Sequence, residues 1–358
     1  EYGDVMAYEV LARKWRPQQF DDVVGQEHVT RTLKNAISTN RIAHAYLFVG
    51  PRGIGKTSVA RIFSKALNCV EGPTVTPCGT CDSCREITAG ASLDVMEIDG
   101  ASNNGVEQVR DLRETVKYAP TRGKYKIYII DEVHMLSSAA FNALLKTLEE
   151  PPAYVKFIFA TTEPEKILPT IVSRCQRFDL RRISVPQIVE RLRAVAKAEN
   201  VKVDEDALLA VARGSEGGLR DAESALDQLI SFKGTAISEE DVLSVFGLVS
   251  RRTLEELGEK ILKGDIQGLI KLVAVLDESG KDLQRLVLEM MEHFRNLLVC
   301  VNVDNVGEGL DLTETQVAVL KAQGKLTNTG RLLRITDVLA DVEDRMRYTL
   351  SKRTLLET

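Results

Sequence analysis

Eight consecutive residues, Gly50-Pro51-Arg52-Gly53-Ile54-Gly55-Lys56-Thr57, place three glycines, a lysine and a hydroxyl at the spacing G-x-x-x-x-G-K-T. Glycines let a loop turn until successive backbone N–H groups face an anion, and a helix beginning at the loop's end adds partial positive charge. Lys56 is then spaced to reach the β- and γ-phosphates of a nucleotide, and Thr57 to hold Mg²⁺. A chance glycine-rich turn could carry the same letters. Here the apolar run Ala45-Tyr46-Leu47-Phe48-Val49 precedes the loop and a helix-like stretch from Thr57 to Leu67 follows it. That is the strand, loop and helix order the motif requires.

A second chemical pair, Asp131-Glu132, closes the apolar run Ile127-Tyr128-Ile129-Ile130. Parallel sheets bind ligands at the carboxyl ends of their strands, so the pair is expected beside the phosphates. Asp131 suits Mg²⁺ or its waters, and Glu132 suits a water attacking the γ-phosphate. Taken alone, two acids after a strand are more often a solvated turn; the phosphate loop changes that weighting. His134 follows closely, but Glu132 already fills the role of base, and a lone histidine is usually structural. His28, His44 and His293 lack metal-ligand spacing and are given no role.

Cys69, Cys78, Cys81 and Cys84 form C-x8-C-x2-C-x2-C in a Gly/Pro/Thr-rich segment with no helix or strand signature. The spacing suits one tetrahedral Zn²⁺ held by four thiolates. Disulfides and an iron–sulfur cluster are the alternatives. A reducing compartment disfavours the first, and no further Cys or Pro follows Cys84 at ferredoxin spacing to support the second. The segment is expected to be a peripheral insertion, a structural knob or docking surface outside the chemistry. Cys300 reads as a small apolar residue.

The elements that must position these groups alternate through the first half. Expected strands are Ala45–Val49, Asp94–Ile98, Lys126–Ile130, Lys156–Ala160 and Arg177–Leu180, a parallel sheet covered on both faces. Phe141, Leu144, Leu145 and Leu148 fall at i, i+3, i+4 and i+7 on a helix that should stop at Pro151-Pro152. After Leu180 no strand is expected, and helical periodicity runs to the end. Pro186, the break from Gly214 to Gly218, Gly234 and Gly247 divide that half. The expected domains are 1–180, 181–247 and 248–358, the last with amphipathic stretches such as Leu283 to Val299 that serve core burial or a partner subunit.

A chain of 358 residues is long for one domain. With 44% hydrophobic residues, 10 prolines and no run of 18 apolar residues, it has a globular composition and no expected membrane span. Met6 is a candidate natural start, with Glu1 to Val5 as an added remnant, and no secretory signal is visible. A cytoplasmic location is therefore expected. The net charge of −5 gives no overall attraction to nucleic acid, so any such contact must be local.

These residues together resemble the AAA+ ATPases, and within them the clamp loaders. Arg13-Lys14-Trp15-Arg16-Pro17 with Val24-Gly25-Gln26 resembles the family's adenine-binding segment. His44-Ala45-Tyr46, Asp131-Glu132-Val133-His134-Met135-Leu136, Leu148-Glu149-Glu150-Pro151-Pro152 and Ser173-Arg174-Cys175 extend the match. With the four-Cys insertion, the resemblance is most specific to the tau/gamma branch of bacterial DNA polymerase III. The related delta-prime subunits have a degenerate phosphate loop, whereas Gly55-Lys56-Thr57 is intact.

The resemblance implies an α/β P-loop AAA+ domain, a small helical lid and an all-α collar. It implies ATP and Mg²⁺ at residues 50–57, with Arg13, Arg16, Pro17 and Val24 around the base, and Zn²⁺ on the four cysteines. Thr162 matches the first sensor, Arg174 the arginine finger that enters a neighbour's site, and Arg220, in Gly217-Gly218-Leu219-Arg220, the second sensor. The implied partners are delta, delta-prime and further tau/gamma copies, a sliding clamp and primer-template DNA. Lys146 and Ser102-Asn103-Asn104-Gly105 match positions facing that DNA, the latter without basic residues. Arg122-Gly123-Lys124-Tyr125-Lys126 reads as a solvated loop. The chain ends earlier than this family generally does, so a polymerase- or helicase-binding tail is expected to be absent. A DNA-remodelling motor of branch-migration type and a nucleotide-binding scaffold are the alternative readings.

Overall fold

The computed structural model describes residues 8–102, 112, 114–303, 314–349 and 351–357. The chain divides into two compact units, 1–237 and 238–358.

In the first unit, five parallel strands form one sheet: β1 (Ala45–Val49), β2 (Val95–Asp99), β3 (Lys126–Asp131), β4 (Val155–Thr161) and β5 (Gln176–Asp179), in the order β2-β3-β4-β1-β5. All five lie within one residue of their expected bounds. β1, β3 and β4 are inside the sheet, and their near-continuous apolar sequences are buried on both faces, as a parallel sheet under helices requires. Tyr46, Phe48, Ile127, Ile129 and Ile158 serve one core; Leu47, Tyr128, Ile130, Phe157 and Phe159 serve the other.

Helix α1 (Lys56–Asn68) follows the phosphate loop and buries Val59, Ile62, Phe63 and Leu67. The four-Cys segment contains a helix that its composition concealed, α2 (Asp82–Ala89). Cys81 caps it by accepting from the Cys84 N–H, and Cys84 and Ile87 form its buried face. Helix α3 (Ser138–Glu149) starts where the Ser137 hydroxyl accepts from the Ala140 N–H at 3.2 Å, and it ends just before Pro151. Phe141, Leu144 and Leu148 are its buried stripe.

Beyond the sheet, α4 (Val185–Ala198) begins with a Ser184/Gln187 capping box and Pro186 in its first turn. Helices α5 (Glu205–Gly214) and α6 (Leu219–Lys233) complete this part. The expectation of no further strand needs one correction. β6 (Lys202–Val203) and β7 (Ala236–Ile237) form a two-stranded parallel pair, each strand too short to show a period.

The second unit is helical throughout its described residues. Its longest helix, Leu283–Asn302, is capped by Asp282, which accepts from the N–H groups of Gln284 and Arg285. Leu286, Met290, Phe294 and Leu297 on that helix pack with Leu257, Leu332 and Leu339. No helix among the described residues is long and apolar enough to cross a membrane.

Candidate active site

Strand order builds the site. Because β4 lies between β1 and β3, the carboxyl ends of three parallel strands present their loops side by side: residues 50–55 after β1, Thr162 after β4, and Glu132 after β3. Val49 is in register with Thr161, and the Gly50 N–H donates to the Thr161 carbonyl at 3.1 Å. Only glycine fits at 50, where φ is +152° and a Cβ would meet Ile54 Cδ1 and the Leu180 carbonyl at 2.6 Å each.

A cavity of about 510 Å³ opens at these strand ends, within the range of small-molecule sites. Its floor is the phosphate loop from Arg52 to Thr57, with Asp131 and Glu132 on one side. Arg16, Pro17 and Val24 come from the N-terminal segment, and Leu219, Arg220 and Glu223 from α6. Sequence reasoning missed Glu97, Asp99, Ile183 and Glu223, which also line it. Glu97 and Asp99 could have been found as polar residues at the end of an expected strand; Ile183 and Glu223 carry no such signal.

The Lys56 ammonium is buried and donates to the Gly50 and Pro51 carbonyls at 2.8 Å each. Burial pushes its pKa down, and the carboxylates of Glu132 and Asp131 oppose that shift. Thr57 donates its hydroxyl to Asp131 Oδ2 at 2.5 Å, bringing together the two groups expected to share a cation. The Thr162 hydroxyl donates to Glu132 Oε2 at 3.2 Å. Burial, and beside it the Arg61 guanidinium, hold Arg16 below the usual arginine range; Glu97 opposes this, and Arg220 and Arg13 add to it. Arg61 is itself paired with Glu97 at 2.6 and 2.8 Å. The cavity lining therefore combines backbone donors and the cations Arg16, Arg52, Lys56 and Arg220 with five acids, of which Asp131 bonds Thr57 and Glu132 bonds Thr162, a set of groups suited to a polyphosphate with a divalent cation.

Of the residues expected at the nucleotide, Gly50, Pro51, Thr162, Arg13 and Arg174 do not line the cavity; the first three adjoin it through the bonds of Lys56 to the Gly50 and Pro51 carbonyls and of Thr162 to Glu132. Arg13 pairs with Glu9 at 3.0 Å, with its side chain 75% exposed. Arg174 does not line the cavity of its own chain. Its guanidinium donates to the Thr170 carbonyl at 2.7 Å and to Glu149 Oε1 at 2.9 Å. Lys146 is exposed on α3. Asn103, Asn104 and Gly105 lie outside the described residues. The loop before β3 is less solvated than expected. Asp94 accepts from the N–H groups of Thr121, Arg122 and Gly123 at 2.6 to 2.7 Å, and Lys126 is buried in β3.

The four cysteine Sγ atoms lie within 4.8 Å of one another. N–H groups of Cys78, Cys81 and Cys84 donate to the sulfurs of Cys69, Cys78 and Cys81 at 3.3 to 3.4 Å, and no disulfide joins any of the six cysteines. Tetrahedral Zn–S bonds of about 2.3 Å place sulfurs about 3.8 Å apart, so the donor set fits zinc. Hydrogen bonds from the Cys81 and Thr80 N–H groups pull the Cys78 thiol down to about 6, whereas burial pushes Cys84 up.

Three family models cover the chain in turn: DNA polymerase III, delta subunit, at residues 25–184; the clamp loader subunit ATPase lid domain at 187–235; and DNA polymerase III subunits gamma and tau domain III at 237–357. The chain is 39% identical over 325 residues to DNA polymerase III subunit gamma of Buchnera aphidicola subsp. Acyrthosiphon pisum, covering 90% of each. It belongs to the DNA polymerase III gamma/tau family. It is also 45% identical over 355 residues to subunit tau of Bacillus subtilis (strain 168), covering 98% of this chain and 62% of that protein. With subunit tau of Escherichia coli (strain K12) the identity is 49% over 286 residues, or 80% of this chain and 44% of that protein. The chain thus spans less than two thirds of the length of these tau relatives. In this gamma/tau chain the fold is a parallel α/β sheet followed by helical parts.

Proposed function

We propose that this chain is an ATP-hydrolysing motor subunit of the bacterial replicative clamp loader. One observation carries the reading: Lys56, Thr57, Asp131, Glu132 and Arg220, expected from separate motifs, line one cavity at the carboxyl end of a parallel sheet. The organisation that goes with it is an ATPase core at 1–180 with its four-Cys module, a lid at 181–247 and a collar at 248–358.

In this reading the backbone N–H groups of residues 53–57 cradle the phosphates, and Lys56 draws charge from the β- and γ-phosphates. Arg16, Pro17 and Val24 hold the base. Thr57 and Asp131 would hold Mg²⁺, which supplies charge neutralisation on the phosphate oxygens. Glu132 accepts a proton as water attacks the γ-phosphorus and the β–γ bridging P–O bond breaks, while Thr162 orients the water. Arg220 reaches the phosphates from the helical part of its own chain, and Arg174 serves a neighbour's site. Cys69, Cys78, Cys81 and Cys84 would hold Zn²⁺ as a structural module. The partners are delta, delta-prime and other gamma/tau copies, with a sliding clamp and primer-template DNA as what the assembly acts on, in the cytoplasm.

The test is reconstitution with those partners, followed by ATP turnover and clamp loading with wild-type and Glu132→Gln chains. The variant is expected to bind ATP and hydrolyse it at least about 100-fold more slowly, the usual scale for losing a general base. Unchanged turnover would overturn the assignment.

A further inference from the structure

Glu132 adopts φ +45°, in the left-handed region, where a long side chain is uncommon. Such a conformation persists where its surroundings over-determine it. The surroundings here are a buried histidine that the mechanism above does not use. His134 sits in the one-turn helix Val133–Met135 that follows Glu132, and its side chain is only 5% exposed. It is absent from the cavity lining, and its ring nitrogens lie near the carboxylates of Glu132 and Glu163.

We propose that His134 is the positioning residue for Glu132, acting through the end of β4: it ties Thr161 to Glu163, so that Thr162 holds one carboxylate oxygen of Glu132 and the other faces the attacking water; the proposal rests on the reading of Glu132 as base. The ring is gripped on both sides. His134 Nε2 lies 3.1 Å from Glu163 Oε1, and Lys166 holds the other oxygen of Glu163 at 2.5 Å. An ionised carboxylate only accepts, so Nε2 carries the hydrogen and donates it, which fixes the plane of the ring. On the opposite edge, Nδ1 is left as the acceptor and takes the Thr161 hydroxyl at 3.0 Å, with Glu132 Oε2 adjacent at 3.4 Å but not bonded to it. The Thr161 oxygen also accepts from the Glu163 N–H at 3.0 Å, tying the end of β4 into the same cluster.

The consequence is asymmetric. The Thr162 hydroxyl donates to Glu132 Oε2, the same oxygen that His134 abuts. Oε1 accepts no hydrogen bond from the described residues. A glutamate free to rotate would spend much of its time with neither oxygen toward a bound water; with Oε2 held by Thr162, whose strand end is fixed by the Thr161–His134–Glu163 chain, Oε1 is presented in one orientation. The gain is pre-organisation of a base already in reach, which shows in the chemical step and not in nucleotide affinity. Glu163 and Lys166 belong to the loop between β4 and the helix Pro169–Val172 that precedes Arg174.

The experiment measures single-turnover ATP hydrolysis and ATP dissociation constants in the complex assembled with its partner subunits, for His134→Ala, His134→Gln, Glu163→Gln and Glu132→Gln. Expected is a single-turnover rate about tenfold or more lower in His134→Ala with an ATP dissociation constant within about twofold of wild type. His134→Gln, whose amide N–H can still reach Glu163, should recover part of the rate, and Glu163→Gln should be slowed without loss of affinity. Non-additivity is the signature a purely structural role would lack: Glu132→Gln combined with His134→Ala should be no slower than Glu132→Gln alone. A normal rate in His134→Ala overturns the proposal, as does a further tenfold loss, roughly, in the double variant. Should His134→Ala fail to bind ATP, a normal rate in Glu163→Gln overturns it equally. Full turnover in Glu132→Gln would instead remove the reading of Glu132 on which it rests, so the two failures are distinguishable.

Discussion

The backbone N–H of Arg220 donates to the carbonyl of Gly53 at 3.1 Å, bonding the first turn of α6 directly to the middle of the phosphate loop. Gly53 makes this approach possible. Its φ is +76°, and a Cβ there would meet Asp221 Oδ2 at 2.9 Å and Gly218 Cα at 3.2 Å. Gly53→Ala must therefore strain the loop or push the helix start away. It should cost about 1–3 kcal/mol of stability and weaken ATP binding, checked by thermal melting and by titration with a fluorescent ATP analogue. Wild-type affinity in the variant would show that contact between α6 and the loop is irrelevant to binding.

Arg174 is held within its own chain by Glu149 and the Thr170 carbonyl, yet the pair is half exposed, with side chains 34% and 52% accessible. Exposed pairs of this kind contribute at most about 1 kcal/mol, so releasing the guanidinium to a neighbouring site costs little. Arg174→Ala should leave ATP binding in its own subunit intact. In mixed assemblies it should slow hydrolysis at the adjacent site by roughly 1,000-fold or more, the scale of an arginine finger. Glu149→Gln should leave both rates near wild type. Mapping the defect to the site of the mutated subunit itself would contradict action in trans.

Most of the site was legible because its residues are tied to local signals. The phosphate loop, Asp131-Glu132 and Thr162 each follow an apolar strand whose bounds the sequence reveals within a residue, and a parallel sheet leaves little choice about which end they face. The remainder depends on contacts between distant segments. Arg191 on α4 reaches Glu223 on α6 and stacks over Trp15, an arrangement no spacing announces. Helix α2 was hidden because its apolar face is only Cys84 and Ile87. Two-residue strands such as β6 have no period to detect. A lone histidine such as His134 carries no signal of its own in the sequence, and only the fold shows Glu132 and Glu163 beside its ring.

The four cysteines predict a metal dependence separable from ATP. Cys69 closes α1, which buries Ile62 and Phe63 in the sheet core, and Cys84 anchors α2. Purified chain should contain one zinc, measured by mass spectrometry of the metal. Chelation, or Cys84→Ser, should release it and lower the melting temperature, because metal-binding energy in such modules is folding energy. The residues lining the ATP cavity include no cysteine, so ATP affinity should change far less than stability. Substoichiometric metal, or a melting temperature indifferent to chelator, would remove zinc from the account.

Glu223 gives a prediction in pH. Its carboxyl is 4% exposed, and burial raises it from 4.5 to about 7, opposed by the Arg191 guanidinium at 3.4 Å. Between those values the native chain keeps a proton that the unfolded chain loses, so the contribution is fully present below about pH 4.5 and is lost as the pH rises toward 7. The separation corresponds to on the order of 3 kcal/mol. Glu223→Gln keeps the volume and an oxygen that can accept from Arg191, but has no proton to release. Whatever its stability relative to wild type at pH 5, the balance should shift in favour of the variant by pH 8, by about 5–10 °C in melting temperature. The gap between the two proteins, not either curve alone, is the quantity to follow, since other groups titrate equally in both. A gap that stays constant from pH 5 to pH 8 would mean that Glu223 ionises in the folded chain as an ordinary carboxylate, its burial fully compensated by Arg191.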